Sequence, residues 1–156
     1  KTKFCTFLQK AYKMTTNKSI VVLQEFNVSP PLLWKYLTQL EHMQEWFFKE
    51  LRSFEAVRGF KASFAFLYNN KIFTQQWEVR DILPQERLCL GWKYKEYPGD
   101  SEAIFEISSS PKGSILKLTA NILKSFPAIE EFSRESMQTG WTDLIQTRLK
   151  GYVSSL

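Results

Sequence analysis

Between Phe60 and Leu123 the apolar side chains fall on alternate residues, whereas the flanking segments carry them at helical spacing. "GFKASFAFLY" alternates Phe60, Phe64, Phe66 and Tyr68 with smaller residues. "KIFTQQWEVRDI" sets Phe73, Gln75, Trp77 and Val79 on one face, and Thr74, Gln76, Glu78 and Arg80 on the other. "RLCLGWKYK" does the same with Leu88, Leu90, Trp92 and Tyr94, and "AIFEIS" and "SILKLTANIL" follow. Turn residues separate these runs: Asn69 and Asn70, which tolerate left-handed backbone, then "LPQER", "PGD" and "SSPKG". Strands at roughly ten-residue spacing with short turns mean an antiparallel meander.

A sheet with one apolar face must cover that face. "SIVVLQEFNV", residues 19–28, is rich in β-formers and predicts a first strand. Two short helices follow. Ser29 suits an N-cap and Pro30 a first helical position, with Leu33, Trp34 and Leu37 as the anchoring face. Thr38 and Glu41 form a capping-box pattern that starts the second helix, whose inner face is Leu40, Met43 and Phe47. The tail is the only element large enough to cover the sheet. From about Ala128 to Val153 it carries Phe132, Met137, Trp141, Leu144, Ile145, Leu149 and Tyr152 at helical spacing. Acids near its start and Arg148 and Lys150 near its end suit the helix dipole. Gly140 in mid-helix predicts close approach to a strand.

At 156 residues, with 44% hydrophobic and 24% charged, the chain suits one domain, residues 19–156, behind a basic arm at residues 1–18. Met14 is a candidate natural start within that arm, and residues 1–13 are expected to be dispensable for folding. The net charge of +5 is not gathered into a stripe, so no nucleic-acid partner is expected. "RGFKASFAF" shares three residues with an RNA-recognition motif, but Lys61 and Ala62 stand where a small residue and a stacking aromatic are required. The longest apolar runs are too short for a membrane span. Cys5 and Cys89 lie far apart in no metal spacing, which leaves a single disulfide open but favours free thiols in a cytoplasmic setting. His42, the only histidine, sits beside Glu41 and Glu45 and reads as a solvated helix face. No cofactor, metal site or catalytic residue is expected.

The aromatic content of 15% is high. Trp46, Phe48, Phe64, Phe66, Phe73, Trp77, Trp92, Tyr94, Phe105 and Trp141 all fall on the inward face. A plain core accounts for rings at strand parity. Their excess on a curved sheet facing one helix favours a lined cavity. Gln75, Tyr94, Arg148 and Tyr152 are the polar groups that could orient a ligand. Gln75 lies between Phe73 and Trp77, and a buried amide there needs a partner: a ligand, a water or another side chain. The two short helices are read as a lid, with Trp46 facing the cavity and reporting its occupancy.

The stretches "VSPPLLWKYLT", Glu45 with Trp46, "VRDILPQERLCLGW", and Gly140 with Trp141 occur in an order that resembles a known superfamily. It is the START and birch-pollen-allergen helix-grip superfamily (SRPBCC), and more narrowly the family similar to the C-terminal domain of the activator of the heat-shock chaperone ATPase. The likeness covers about residues 19–155. It implies an α+β helix-grip fold, with an antiparallel meander wrapped on a long C-terminal helix and two short helices after strand one. It implies a domain that binds a small apolar or aromatic ligand without defined catalysis. The resemblance leaves two other readings open, an interaction module serving a chaperone or another partner and a cyclase- or aromatase-like enzyme. The chain is too short to include the activator's chaperone-contacting N-terminal domain, so chaperone activation does not follow. Nothing in the sequence fixes an oligomeric state.

Overall fold

In the computed structural model, which describes residues 18–156, the alternating runs become five strands. They are β2 (Lys61–Tyr68), β3 (Lys71–Leu83), β4 (Arg87–Tyr94), β5 (Tyr97–Ser110) and β6 (Gly113–Lys124). These form a consecutive antiparallel meander. β1 (Ile20–Phe26) pairs with β6, giving the sheet order β1-β6-β5-β4-β3-β2. The expectations placed on the arm, on Cys5 and on Met14 lie outside the described residues.

Asn69 and Asn70, at φ 51° and 61°, make the two-residue hairpin that closes Tyr68 onto Lys71. This mirror-image turn matches the twist of its strands. The turn expected at "PGD" is not there. The chain reverses earlier, at Lys95 and Glu96, between the paired residues Tyr94 and Tyr97. Pro98, Gly99 and Asp100 then run on into β5. Gly99 permits this with φ +127°, and a Cβ at that position would come within 2.3 Å of the Phe126 ring. Register shifts at Asp100/Ser101, Val79/Asp81 and Trp92/Tyr94 bend the sheet.

The inner face of the bend carries Phe64, Trp77, Val79, Leu88, Leu90, Phe105, Leu116, Leu118, Ile20 and Val22, all buried. The C-terminal helix packs into this core. It is α-helical over Arg134–Thr142 (α3), π-helical over Asp143–Leu149, and α-helical again over Lys150–Ser154 (α4). Ile145, Leu149 and Val153 are its buried residues, with Trp141 and Leu144 partly buried against them. The helix begins at Arg134, later than the expected Ala128. A 3-10 turn at Glu130–Phe132 precedes it, and Ser133 holds extended backbone while its Oγ accepts from the Ser136 N–H at 3.1 Å. Side chains of the helix also satisfy carbonyls along the edge strand β1. Gln146 Nε2 donates to Leu23 O at 3.0 Å, and Lys150 Nζ donates to Glu25 O at 3.1 Å.

α1 (Pro30–Thr38) and α2 (Leu40–Trp46) follow β1, with Ser29 extended at the N-cap and prolines at the first helical positions. The capping box does not form. Thr38 ends α1 and its hydroxyl donates one turn back to Trp34 O at 2.8 Å, so Gln39 caps α2. Leu33 and Leu37 are buried, whereas Trp34 is only partly so. His42 is not simply solvated. Its Nδ1 lies 2.6 Å from the Tyr152 hydroxyl and its ring stands edge-on to Tyr36 at 4.9 Å, so it links α2 to α4. Cys89 is disulfide-bonded, which corrects the expectation of a free thiol there.

Candidate functional site

Space remains inside the bend where small residues meet. The inward residues Ala103 on β5 and Ala120 on β6 pair directly in register, each next in parity to a bulky residue, Phe105 or Leu118. The helix contributes Gly140 to the same space, and a Cβ added there would meet no heavy atom within 4 Å. A lobe of about 200 Å³ results, walled by Phe48, Gln75, Trp92, Tyr94, Phe126, Phe132, Trp141 and Leu144. A second lobe of about 320 Å³ lies towards the β2–β3 hairpin, walled by Phe48, Phe66, Phe73, Tyr94, Phe132 and Arg148. Phe48, Tyr94, Glu131, Phe132, Ser136, Gly140 and Leu144 line both, so the lobes adjoin and together make up the cleft. A cleft of this size is in the range that holds small molecules.

Gly140 therefore does not abut a strand. It is exposed along the cleft. Gly140→Leu is expected to leave the melting temperature unchanged or to raise it, since a mid-helix glycine costs about 1 kcal/mol. The same change should weaken binding of a cleft ligand, because the new side chain enters the space. A fall in melting temperature, as overpacking against a strand would cause, would contradict this placement.

Hydrogen bonds run along the aromatic wall. Trp77 Nε1 donates to Gln75 Oε1 at 2.8 Å, Gln75 Nε2 donates to the Tyr94 hydroxyl at 3.4 Å, and Trp92 Nε1 donates to the same hydroxyl at 3.1 Å. The partners of buried Gln75 are thus other side chains. Burial raises the pKa of the Tyr94 phenol, and hydrogen bonds from Trp92 and Gln75 oppose that rise without cancelling it. The phenol stays protonated at physiological pH. At the second lobe, Glu131 accepts from Asn69 Nδ2 at 3.1 Å and Lys71 Nζ at 3.0 Å, tying the β2–β3 turn to the 3-10 turn. These bonds hold the Glu131 carboxyl below its usual range. Arg148 is exposed on the wall of this lobe.

Trp46, Phe64, Trp77 and Phe105 are not walls of either lobe but pack in the buried layer behind. Trp46 is 1% exposed. It stacks on Phe47 at 4.5 Å and donates through Nε1 to Tyr36 O at 2.9 Å, so it does not face the space as expected. α2 ends at Trp46, and the next residue leaves helical backbone at ψ −85°. Phe48 then points to the cleft, beside Phe64 at 5.1 Å and Phe66 at 5.6 Å. Tyr152 is engaged by His42 and is not a wall of the cleft. Sequence reasoning missed Ala103, Ala120, Phe126 and Phe132. Alanines at inward strand parity were the available signal for the first two. Among the described residues no group of three or more His, Cys, Asp or Glu side chains could hold a metal ion. None of the described helices is long and apolar enough to cross a membrane.

A family model described as "Activator of Hsp90 ATPase homolog 1-like protein" matches residues 27–154. Among solved structures, the chain is similar to the Aha1 dimer from Colwellia psychrerythraea, at 15% identity over 88% of this chain and 96% of that one, with TM-score 0.65. It is similar to CalU16 from Micromonospora echinospora at 22% identity, over 87% of this chain and 76% of that one, with TM-score 0.63. It is also similar to DynU16, a protein of the dynemicin biosynthetic locus, at 16% identity over 89% of this chain, with TM-score 0.72. There it spans about half of the partner, 48% of that chain. At such identities these likenesses establish a shared fold. A comparison with curated proteins finds no match.

Proposed function

The chain belongs to the family of activator of Hsp90 ATPase homolog 1-like proteins, and from that premise we propose that it is a small-molecule-binding domain whose cleft takes an apolar or aromatic ligand. The observation that carries this reading is the cleft at Ala103, Ala120 and Gly140, walled mainly by aromatic rings. Phe48, Phe66, Phe73, Gln75, Trp92, Tyr94 and Trp141 are the proposed ligand contacts, with Arg148 at the second lobe. The binding unit is residues 19–156, and no reaction is assigned to it. A cytoplasmic location belongs to the same proposal, but the disulfide at Cys89 weighs against it, because cytoplasmic thiols are kept reduced.

The test is native mass spectrometry of the purified protein, followed by titration with the neutral fluorophore N-phenyl-1-naphthylamine. Saturable binding is expected, with quenching of tryptophan emission. Trp92 and Trp141 stand in the cleft wall and are the reporters. Trp141→Phe should remove a substantial part of the quenching. No saturable binding by folded protein would sink the ligand reading. The protein-interaction reading would then lead, supported by the exposed apolar residues Leu67, Tyr68 and Ile72 around the β2–β3 turn.

A further inference from the structure

We propose that the Tyr94 O–H is a fixed hydrogen-bond donor into the cleft, which selects aromatic ligands bearing a neutral acceptor oxygen such as a ketone or quinone carbonyl. This rests on the ligand-binding reading above and adds the class of ligand. A phenol oxygen accepts two hydrogen bonds and donates one. Both acceptor positions of Tyr94 are taken, by Trp92 Nε1 at 3.1 Å and Gln75 Nε2 at 3.4 Å. The amide of Gln75 cannot be reversed, because its Nε2 would then face the donor-only indole of Trp77, 2.8 Å away. The phenol hydrogen is therefore directed elsewhere, and no hydrogen bond among the described residues receives it. The ring is held in place by Phe73, Phe126 and Phe132, with centroids 5.8, 5.8 and 5.1 Å away. Tyr94 is a wall of both lobes, and its O–H is assigned to a ligand in the first, beside Gln75 and Trp92.

The remaining walls decide the charge of the acceptor. The first lobe has Glu131 among its lining residues and no Lys or Arg. An anionic ligand there would have no compensating cation, since Arg148 stands at the second lobe, so an acceptor seated in the first lobe is neutral. In the empty protein a water can take the phenol hydrogen. A ligand carbonyl that displaces the water keeps the bond, whereas a hydrocarbon leaves a buried donor unsatisfied.

The test pairs two ligands of one shape, 2-acetonaphthone and 2-isopropenylnaphthalene, the second with a methylene in place of the carbonyl oxygen. Each is titrated against wild type and Tyr94→Phe by tryptophan quenching. Tyr94→Phe is expected to cut ketone affinity roughly tenfold and to leave the alkene within about twofold. Equal changes for both ligands, or no change for the ketone, would overturn the assignment while leaving the cleft reading intact. If neither ligand binds wild type, the cleft reading itself falls, and this inference with it. Should Tyr94→Phe fail to fold, the carbonyl stretch of the ketone bound to wild type decides. A frequency lowered from its value in hydrocarbon solvent supports donation from Tyr94, and an unshifted band refutes it.

Discussion

Trp46→Ala should destabilise the domain by about 3–5 kcal/mol, a large part of the 5–15 kcal/mol that holds a domain of this size together. Trp46 is 1% exposed, stacks on Phe47 at 4.5 Å with a 5° interplanar angle, and is among the largest fully buried side chains of the described residues, within the main core cluster. Phe47 in turn meets Trp77 at 5.1 Å, Trp92 at 5.8 Å and Phe105 at 6.2 Å, so a void left by Trp46 opens beside the centre of the core. The deletion also leaves Tyr36 O, which accepts from Trp46 Nε1 at 2.9 Å, without that donor inside α1. Trp46→Phe retains the stacking and removes the donor, and should cost about 1–3 kcal/mol. Trp34 is only partly buried, so Trp34→Ala should cost less than Trp46→Ala, the reverse of the weighting its helical face suggests. Urea denaturation of the three variants checks the order. If Trp46→Ala unfolds within 1 kcal/mol of wild type, or Trp34→Ala is the worse of the two, the assignment of Trp46 to the core is wrong.

Spacing places Trp46 and Phe48 on the cavity side together, and their parting in the structure, Trp46 into the core and Phe48 to the cleft, shows where sequence reasoning stops. Strand alternation is a local property of the pleat, so Phe73, Gln75, Trp92 and Tyr94 could be placed on the inner face from spacing alone. Whether an inner-face ring fills the core or borders a void depends on what stands across from it. That is settled by the register of Ala103 with Ala120 and by the helix rotation that brings Gly140 to the same space, both long-range facts. The step from Trp46 to Phe48 depends on one backbone angle, ψ −85° at Phe47, where helical extrapolation fails. The capping box failed for a related reason. Thr38 had a carbonyl one turn back within reach, and a local side-chain bond competed with the expected cap. Phe126 was hidden because "PGD" is a strong turn signal, and only the structure shows Gly99 providing room for that ring inside a strand.

Glu102 should make the protein lose stability as the pH rises from about 4.5 to about 7. It alternates with Ala103 on β5 and so points to the sheet face away from the cleft, where its side chain is 0% exposed. Burial pushes its carboxyl from 4.5 up to about 7; the Asn121 hydrogen bond and the Arg80 charge pull downward, and Asp100 pushes further up. Arg80 offers little relief, since its Nη1 is 4.0 Å from Glu102 while its Nη2 lies 2.9 Å from Asp100. A folded-state pKa above the unfolded one means that the native state binds more protons between the two values. The contribution is therefore fully present below about 4.5 and lost as the pH climbs through 7. At 1.36 kcal/mol per unit, that shift corresponds to about 3 kcal/mol across the window. Asp81 does not mask the effect. Burial raises its pKa, but hydrogen bonds from Arg58 and Arg87 outweigh this and set it below 3.8, so its contribution is lost only at lower pH. Glu102→Gln keeps an acceptor for Asn121, whose Nδ2 now donates at 3.3 Å, and removes the charge. The variant should exceed wild type by less than about 1 kcal/mol at pH 5 and by about 3 kcal/mol at pH 8. Urea denaturation of both proteins at the two pH values gives the comparison, and identical pH slopes would mean that Glu102 ionises without cost and is hydrated in solution.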